Sequence, residues 1–477
     1  MPERIYKYKS KEGFKTLELN DSFFLLEDKV ARFKNNPDIT FDERNKALLS
    51  KDELTVLKKE IDSADSPYFN TPEFNVLPVF KGKNDSSWLM SDELFVGYEN
   101  RIELETFINE NGLSELDHFD FKNNNKYSLL KIRQDQELFE IIEKGEKYKS
   151  FISIEPNFTT IVNDESRLFP NQEINTSYFD NLNLIDVPQA WNITYGCKEI
   201  VIAVLDVGIF DSHESLRGQV VSGFNTYNRT LNTVPRNNDV HGTLCAGIVA
   251  GRNPNGNFKG VAPNCEIMPI LIASSENTPP GMIRYSELSF TKGIVSAYEN
   301  GASVLNISLF YQGPEIGPIR TALEEANSLG REGLGCIIVG AAGNSGVPKV
   351  DFPASDKSVI AVSSTYGDGS FVQKEQRWGS NYGPQIFCAA PGVNNISTGL
   401  PNKNYLVFEG TSSSAALVSG VVALMLSLKP DLTSDEVKDI IERTSSLYNH
   451  PNNKMGFGLI NAKKALEYII QKYRIII

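Results

Sequence analysis

Four residues of this chain carry side-chain types that acyl transfer needs: a carboxylate, an imidazole, an amide and a hydroxyl. A serine hydroxyl is a weak nucleophile at neutral pH and needs an adjacent base to activate it. A histidine can be that base, and an aspartate can hold its imidazole in the required tautomer. Each of the four lies at a predicted strand end or helix start: Asp206 in VIAVLDVG, His241 in HGTLCAG, Asn344 in VGAAGNSG and Ser412 in EGTSSSAALVSG.

Each of these residues also has a purely structural explanation when it is considered alone. Asp206 can cap a turn, His241 can simply begin a helix, and an asparagine before Ser-Gly is a common turn residue. The hydroxyl side chains at 411–414 can cap the following helix, because Ser and Thr accept hydrogen bonds from its first amides. A shared chemical role accounts for all four residues together, and we therefore favour it.

The elements that must position these residues alternate between strands and helices from about residue 183 onward. Continuous apolar runs are typical of parallel strands that are buried on both faces. Their alternation with helices predicts an α/β fold, a parallel sheet with helices on both faces, whose sites gather at the carboxyl ends of the strands. The predicted strands lie in EIVIAVLDVGI, EIMPILIA, ASVLNISLF, GCIIVGAAG and SVIAVSS, and the predicted helices in GTLCAGIVAG, SFTKGIVSAYENG and IRTALEEANSLG.

The sequence before residue 183 is more polar and lacks the long apolar runs of the later part, and its pattern predicts three regions. Residues 1–85 are charged and of open role, with a helix predicted in DERNKALLSKDELTVLKKEID and a strand in FNVLPVFK. Residues 86–158 predict a small α+β domain, and the polar residues 159–182 predict a linker to a domain at 183–477. In the small domain the strands are predicted in ELFVGY, KYSLLKIR and FISIEPNF, and the helices in RIELETFINENG and DQELFEIIEKGEKY.

Composition narrows the function classes. The chain has 477 residues and a net charge of −13, which predicts two or three domains and argues against a nucleic-acid partner. The five scattered cysteines form no CxxC pair and are typical of reduced thiols. The first residues show no apolar signal segment, and no stretch is expected to reach the ~18 apolar residues of a membrane span. These features predict a cytoplasmic protein without a membrane partner; the alternative is secretion by a route that needs no N-terminal signal.

The segments VLDVGI, HGTLCAG, AAGNSG and GTSSSAALVSG resemble, in chain order, the four motifs of the subtilisin-like serine proteases, the subtilase family. The resemblance covers residues 183–470 and implies a subtilisin-like catalytic fold. It also implies a serine endopeptidase that acts on proteins or peptides. In this family pattern Ser412 is the nucleophile, His241 the base and Asp206 the orienting acid. The Asn344 amide and the Ser412 backbone N–H form the oxyanion hole.

The resemblance also implies substrate-binding residues. Ser308, Leu309 and Phe310 match the strand that lines the substrate cleft, and Phe310 stands where the family often has glycine. This predicts a narrower cleft, unless a local insertion moves the ring away. Asp351 aligns with the floor of the primary specificity pocket, where a buried carboxylate would select Lys or Arg. The alternative is that Asp351 caps the turn before Phe352.

Residues 86–158 lie where subtilases carry a propeptide that assists folding and blocks the cleft. The resemblance therefore implies that the N-terminal domain is an intramolecular chaperone and inhibitor. Together with a preference for basic residues, it predicts self-cleavage between Arg167 and Leu168. A retained regulatory domain is the alternative.

The strong calcium site of the family is predicted to be lost. Ser215 stands where the family has a carboxylate, and Pro254 stands where it has an asparagine, whereas calcium prefers several oxygen ligands with some carboxylate charge. Asp211 or Asn255 could rebuild a site, but no metal or other cofactor is predicted.

Two other functions remain open at this stage. One is a catalytically slow subtilase fold that serves as a scaffold, because Phe310 and Ala416 both depart from the family pattern, the latter replacing a proline. The other is an esterase or ligase that uses the same triad.

Overall fold

The computed structural model of the chain describes most of residues 91–476 and several strands before them. These earlier strands are 6–10, 13–17, 19–28, 46–50, 74–81 and 87–89. Within 91–476 the description omits 123–124, 134–135, 164–167, 170–176, 237–238, 254–257, 276–277, 279–281, 314–316, 374–377 and 402–404.

The chain divides into two compact units. Unit 1 comprises Met1–Asp164, Ser275–Leu288 and Gln312–Thr321, and unit 2 comprises Glu165–Ser274, Ser289–Tyr311 and Ala322–Ile477. Two segments that lie late in the sequence thus belong to unit 1, which the amino-acid pattern did not indicate. The domain boundaries given above stay a prediction.

Among its described residues, unit 1 contains two antiparallel sheets and the helices Arg101–Asn111 and Leu138–Gly145. Buried aromatic and aliphatic side chains of both helices pack on the first sheet, among them Phe107 and Ile142. In spatial order the first sheet is Gly13–Leu17, Tyr6–Ser10, Phe151–Pro156, Glu93–Tyr98, Lys126–Lys131 and Ser114–Asp120. The strands of unit 1 in the second sheet are, in order, Met282–Ser286, Thr159–Asn163, Ser87–Leu89, Phe74–Lys81, Leu19–Asp28 and Lys46–Ser50.

The three strands and two helices predicted for residues 86–158 are all present, together with one further strand between them. Gly112 ends the first helix in the left-handed conformation, with φ 60°, as glycine at this position favours. The strand Ser114–Asp120 was missed, because its sequence SELDHFD is mostly polar and carries little strand signal.

The first 85 residues gave one correct and one wrong prediction. FNVLPVFK is a strand, Phe74–Lys81. The helix predicted over 42–62 is wrong at Lys46–Ser50, which is a strand paired antiparallel with Phe23–Glu27, and residues 51–62 lie outside the described part. Pairing with a long neighbouring strand outweighs the helix propensity of Ala-Leu-Leu, since propensity is a weak prior.

The predicted linker over 159–182 contains regular structure. It holds the strand Thr159–Asn163, the short strand Leu168–Phe169 and the start of the helix Ser177–Leu184. These elements are short, so their sequence shows no clear periodicity.

Unit 2 is built on a seven-stranded parallel sheet, which confirms the predicted fold class. Every predicted strand after residue 183 is present, and nearly all of their side chains are buried, as expected for a sheet covered on both faces. In spatial order the strands are Phe224–Asn225, Glu266–Leu271, Val201–Asp206, Val304–Ile307, Ile337–Ala341, Val359–Thr365 and Ile386–Pro391.

The remaining elements of unit 2 surround this sheet. A small antiparallel sheet consists of Leu168–Phe169, Tyr405–Phe408 and Asn395–Thr398, and Ala273–Ser274 is a further short strand. The helices are Ser177–Leu184, Val187–Ala190, His241–Ala250, Thr411–Leu428, Ser434–Thr444 and Ala462–Tyr473, with a 3-10 turn at Arg331–Gly333. The helices Glu287–Glu299 and Gly317–Leu329 begin in segments of unit 1 and continue into unit 2.

The helix Thr411–Leu428 corrects one expectation. Its 18 residues have a mean hydropathy of 1.7, so by length and composition it could cross a membrane, although no such stretch was expected. The hydroxyl residues at its start concealed this apolar character. Because 89% of the helix is buried within the fold, it has the surroundings of a core helix.

Candidate active site

Asp206 and His241 form the central pair of the site. Asp206 is the last residue of the strand Val201–Asp206, and His241 is the first residue of the helix His241–Ala250. His241 Nδ1 lies 2.9 and 2.8 Å from the two Asp206 carboxylate oxygens, and both side chains are buried. The Val207 backbone N–H also donates to Asp206 Oδ1 at 2.8 Å. The carboxylate is therefore oriented to hold Nδ1 protonated, which leaves Nε2 as the basic nitrogen.

Gly242 allows this close approach. A Cβ atom at Gly242 would lie 2.3 Å from the Gly208 carbonyl oxygen and 3.0 Å from Asp206 Cβ. Any larger residue after the histidine would push the helix start away from the strand end. The His-Gly sequence is thus a packing requirement of the Asp206–His241 pair.

Ser412 lies in the first turn of the helix Thr411–Leu428 and is joined to the neighbouring strand end. Its hydroxyl donates to the Ser308 carbonyl oxygen at 3.0 Å, and the Ser308 hydroxyl donates to the Ser412 carbonyl oxygen at 3.3 Å. For nucleophilic attack the Ser412 hydroxyl must donate to His241 Nε2 instead of to the Ser308 carbonyl oxygen. Such bonds are often formed only when substrate is bound.

Asn344 follows the strand Ile337–Ala341, and its side chain is oriented by the residue before Ser412. Asn344 Oδ1 accepts hydrogen bonds from Thr411 N and Thr411 Oγ1, both at 2.9 Å, and Thr411 Oγ1 accepts from the Gly343 N–H at 3.1 Å. Because two donors engage the amide oxygen, the amide nitrogen is turned the other way, as an oxyanion donor requires. The positive end of the Thr411–Leu428 helix lies at the same place.

The predicted substrate-binding residues are in well-packed surroundings. Leu309 is buried, and Phe310 is half-buried against the main core of unit 2. Tyr311 is buried with its ring 5.4 Å from that of Phe290, and its N–H donates to the Phe352 carbonyl oxygen at 2.8 Å. The Tyr311 ring therefore belongs to the interior of unit 2.

Asp351 is buried, and its Oδ2 accepts a hydrogen bond from Asn381 Nδ2 at 3.0 Å. Its backbone carbonyl oxygen accepts a hydrogen bond from the Ser355 N–H at 3.0 Å, which closes a turn that contains Phe352. The side chain, however, is directed to Asn381, which the sequence gave no reason to consider.

The strand Tyr405–Phe408 connects the site to the short strand that follows the predicted cleavage point. Phe408 packs edge-to-face on the His241 ring at 5.4 Å, and Leu168 pairs antiparallel with Phe408. Arg167 lies outside the described residues.

Cys245 lies one helical turn after His241 and contacts the same carboxylate. Its Sγ is 3.8 Å from Asp206 Oδ2, and burial, followed by the charge of Asp206, raises the pKa of its thiol well above the usual value. Asp206, His241 and Cys245 also form a possible metal-binding group, with ligand atoms within 4.8 Å of one another. A metal ion there would take the His241 nitrogen that Asp206 holds and would oppose the proton transfer described above. All five cysteines are free.

The residues at the family's calcium position do not fit a calcium site. Ser215 Oγ lies 2.6 Å from Tyr405 OH, which also accepts from Asn253 Nδ2 at 2.7 Å and donates to Glu214 Oε1 at 3.1 Å. These oxygens are occupied by one another rather than arranged around a cation, and Asp211 is exposed. Pro254 and Asn255 lie outside the described residues, and the absence of a required metal stays a prediction.

Sequence comparison now places this geometry in a family. The sequence profile of the subtilase family matches residues 197–458, which is more than half of the chain. The chain therefore belongs to the subtilase family. The match includes Asp206, His241, Asn344 and Ser412.

Several named proteases are similar to the chain. It is 31% identical over 286 residues to thermitase of Thermoactinomyces vulgaris, covering 60% of this chain and 94% of thermitase. It is 32% identical to the major intracellular serine protease of Bacillus subtilis, covering 60% of this chain and 90% of the relative. It is 33% identical to a calcium-dependent protease of Nostoc sp. over 59% of this chain, and it spans only 48% of that relative.

Among solved structures, the chain resembles fervidolysin of Fervidobacterium pennivorans, a keratinolytic enzyme related to subtilisin. The TM-score is 0.63 at 23% identity, covering 80% of this chain and 61% of fervidolysin. At this identity the likeness concerns the fold.

Proposed function

We propose that the chain is a serine endopeptidase that hydrolyses peptide bonds of proteins or peptides. The observation that carries this proposal is the buried contact between both Asp206 oxygens and His241 Nδ1. Ser412, at the start of the adjacent core helix, supplies the nucleophile, and Asn344 supplies an oxyanion donor. The relatives that are named as serine proteases support the same reaction.

The reaction follows from the roles of these side chains. The Ser412 oxygen forms a bond to the substrate carbonyl carbon while its proton moves to His241 Nε2. The Asn344 amide and the Ser412 N–H stabilise the oxyanion, and Asp206 stabilises the imidazolium. His241 then gives its proton to the amine as the C–N bond breaks. Water repeats both steps on the acyl-enzyme and restores the serine.

A fluorophosphonate probe tests the proposal directly, because it labels only an activated serine. We expect labelling of the native chain and none of Ser412→Ala, with turnover of peptide as well as ester substrates. Labelling without peptide turnover would favour the esterase alternative. Failure to label the folded native protein would favour the scaffold.

A preference for Lys or Arg before the scissile bond is part of the proposal. The burial of the Asp351 carboxylate supports it, since a substrate cation would offset its desolvation. Digestion of a peptide library should show this preference in the native protein and lose it in Asp351→Asn. An unchanged cleavage pattern in the variant would contradict it.

We further propose that the N-terminal region acts on the protease as an inhibitor and folding aid, and that it is released by cleavage between Arg167 and Leu168. The separate hydrophobic core of unit 1 supports a region that folds as a domain. Mass spectrometry of the native chain beside Ser412→Ala reports cleavage and its position together. Cleavage in both proteins would show that another protease cuts the chain. An intact, active native chain would indicate a retained regulatory domain.

A further inference from the structure

The loop that carries Asn344 is held from one side by a segment more than thirty residues later in the sequence. Three backbone N–H groups of this segment donate to carbonyl oxygens of the loop. They join Gly379 to Asn344 at 3.2 Å, Asn381 to Gly343 at 2.8 Å and Tyr382 to Val347 at 3.1 Å. The loop thus gains the ladder of hydrogen bonds that its own irregular backbone lacks.

The Asn381 side chain adds a second layer of contacts beneath the loop. It is fully buried, and its Oδ1 accepts from the Ser345 N–H at 3.1 Å and the Val347 N–H at 3.2 Å. Its Nδ2 donates to Asp351 Oδ2 at 3.0 Å. The carboxylate therefore fixes which way the amide faces. A flipped Asn381 would place its oxygen against a carboxylate and its NH2 group against two N–H donors.

Gly343 provides the space for this arrangement. A Cβ atom at Gly343 would lie 2.1 Å from Asn381 Nδ2 and 2.3 Å from Asp351 Oδ2, in a backbone with φ of +112°. The residue before the oxyanion donor must therefore be glycine for the two side chains to fit.

We propose that Asn381 and Asp351 are positioning residues that hold the Asn344 loop in the geometry required for oxyanion stabilisation. This inference rests on the proposed protease function. An oxyanion donor is effective only when it already points to where the charge will develop, within a few tenths of an ångström. Asn344 lies in a loop, so its position depends on the contacts made by Thr411 on one side and by Asn381 on the other.

The first test is Asn381→Ala, assayed with a substrate that has an apolar residue before the scissile bond, so that the Asp351 charge does not affect substrate binding. We expect kcat to fall about 10- to 100-fold, less than the about 100- to 1000-fold that loss of the donor itself causes, with KM changed much less. Each rate is divided by the concentration of active sites, which is measured as the amount of protein that a fluorophosphonate labels when the labelling is complete.

A double-mutant cycle with Asn344→Ala separates positioning from general destabilisation. If Asn381 acts through Asn344, the double variant is about as slow as Asn344→Ala alone, because the donor to be positioned is already missing. If Asn381→Ala lowers kcat by the same factor in the Asn344→Ala background as in the native protein, the proposal is overturned.

Exchange of the pair tests the orientation of the amide. Asn381→Asp should be strongly impaired, because two carboxylates then face each other. Asp351→Asn should be mild, since a neutral amide oxygen still accepts from Asn381. The double exchange, the variant that combines Asn381→Asp with Asp351→Asn, should restore kcat to within a few-fold of the native value. Failure of the folded double exchange to recover would contradict the proposed geometry.

The chain offers a matched control in Asn461→Ala. Asn461 makes the same types of bond, with Nδ2 donating to Asp186 Oδ2 at 2.7 Å and Oδ1 accepting from the Lys464 N–H at 2.9 Å. It caps the last helix and touches none of the proposed catalytic residues. We expect a comparable loss of thermal stability without the fall in kcat.

Hydrogen exchange provides a readout that does not depend on activity. The amides of Ser345 and Val347 should be protected in the native protein, exchange faster in Asn381→Ala, and be protected again in the double exchange. If the native protein hydrolyses nothing while this pattern holds, the proposed function fails and the support of the loop stands. If the native protein is active and exchange at these amides is unchanged by Asn381→Ala, the positioning proposal fails alone.

Discussion

The proton-transfer half of the site and the oxyanion half are held in place by different kinds of structure. Asp206 and His241 lie at the end of a strand and the start of a helix, and their side chains contact each other directly. Asn344 lies in a loop, and its orientation depends on side chains from two other parts of the chain. Direct contact between residues on regular elements fixes the first half, whereas backbone and side-chain hydrogen bonds from distant segments fix the second.

The difference determines how each half should respond to substitution. Asp206 and His241 contact each other directly, so substitution of either residue should directly impair the proton transfer. The oxyanion half distributes its support over Thr411, Asn381 and Asp351, so loss of one supporting residue should weaken the donor without abolishing its function. Four substitutions, in order of expected effect, test this view.

The largest effect is expected for Ser412→Ala, which removes the nucleophile that both halves serve. Removing the serine of such a triad lowers kcat by about 10⁶-fold, a figure measured for subtilisin itself. Peptide hydrolysis and fluorophosphonate labelling both report it. Retention of more than a small fraction of activity would mean that another residue attacks the substrate.

Asp206→Asn should be the next most severe change. An amide can donate to His241 and thereby favour the wrong tautomer, and the corresponding substitution in a serine protease lowers kcat by about 10⁴-fold. Asp439→Asn is the control, because Asp439 makes an exposed ion pair with Arg443 at 2.6 Å, and such pairs contribute little. Near-normal kcat in Asp206→Asn would break the proposed division of the site.

Asn344→Ala should lower kcat by about 100- to 1000-fold while KM changes little, because the donor acts mainly in the transition state. Steady-state kinetics on a peptide substrate distinguish the two parameters. A rise in KM with unchanged kcat would assign Asn344 to substrate binding and remove the oxyanion half of the comparison.

The smallest effect is expected for Cys245→Ser, which should leave the pH dependence of kcat/KM almost unchanged. Burial raises the pKa of the Cys245 thiol well above its usual value, so the thiol stays protonated below that raised pKa and adds no negative charge beside Asp206. The pH profile of kcat/KM should therefore keep its shape between pH 6 and 9. A shifted alkaline limb in the variant would show that the thiol ionises and influences the pair.

Much of the catalytic region was predictable from local sequence. Apolar runs such as VIAVL identify buried parallel strands, and the residues that follow them lie at one edge of the sheet for geometrical reasons. His-Gly and Gly-Thr-Ser at helix starts carry similar information. The parallel sheet and the contact of Asp206 with His241 agree with this prediction.

The supporting contacts were not predictable in the same way. Nothing near Asn381 in the sequence links it to Asn344, and Asp351 was interpreted from its alignment with a pocket floor rather than from its bond to Asn381. Lys46–Ser50 has a helical composition but pairs as a strand. In both cases the deciding partner lies tens of residues away.

The sequence by itself therefore determined the kinds of element and the chemistry at their ends, because hydrophobic periodicity and capping act over a few residues. The tertiary structure alone decided which distant side chains support the oxyanion loop and which segments join unit 1. These long-range contacts depend on the register and packing of strands that lie far apart in the chain. Many sequences with the same local pattern would form different long-range contacts.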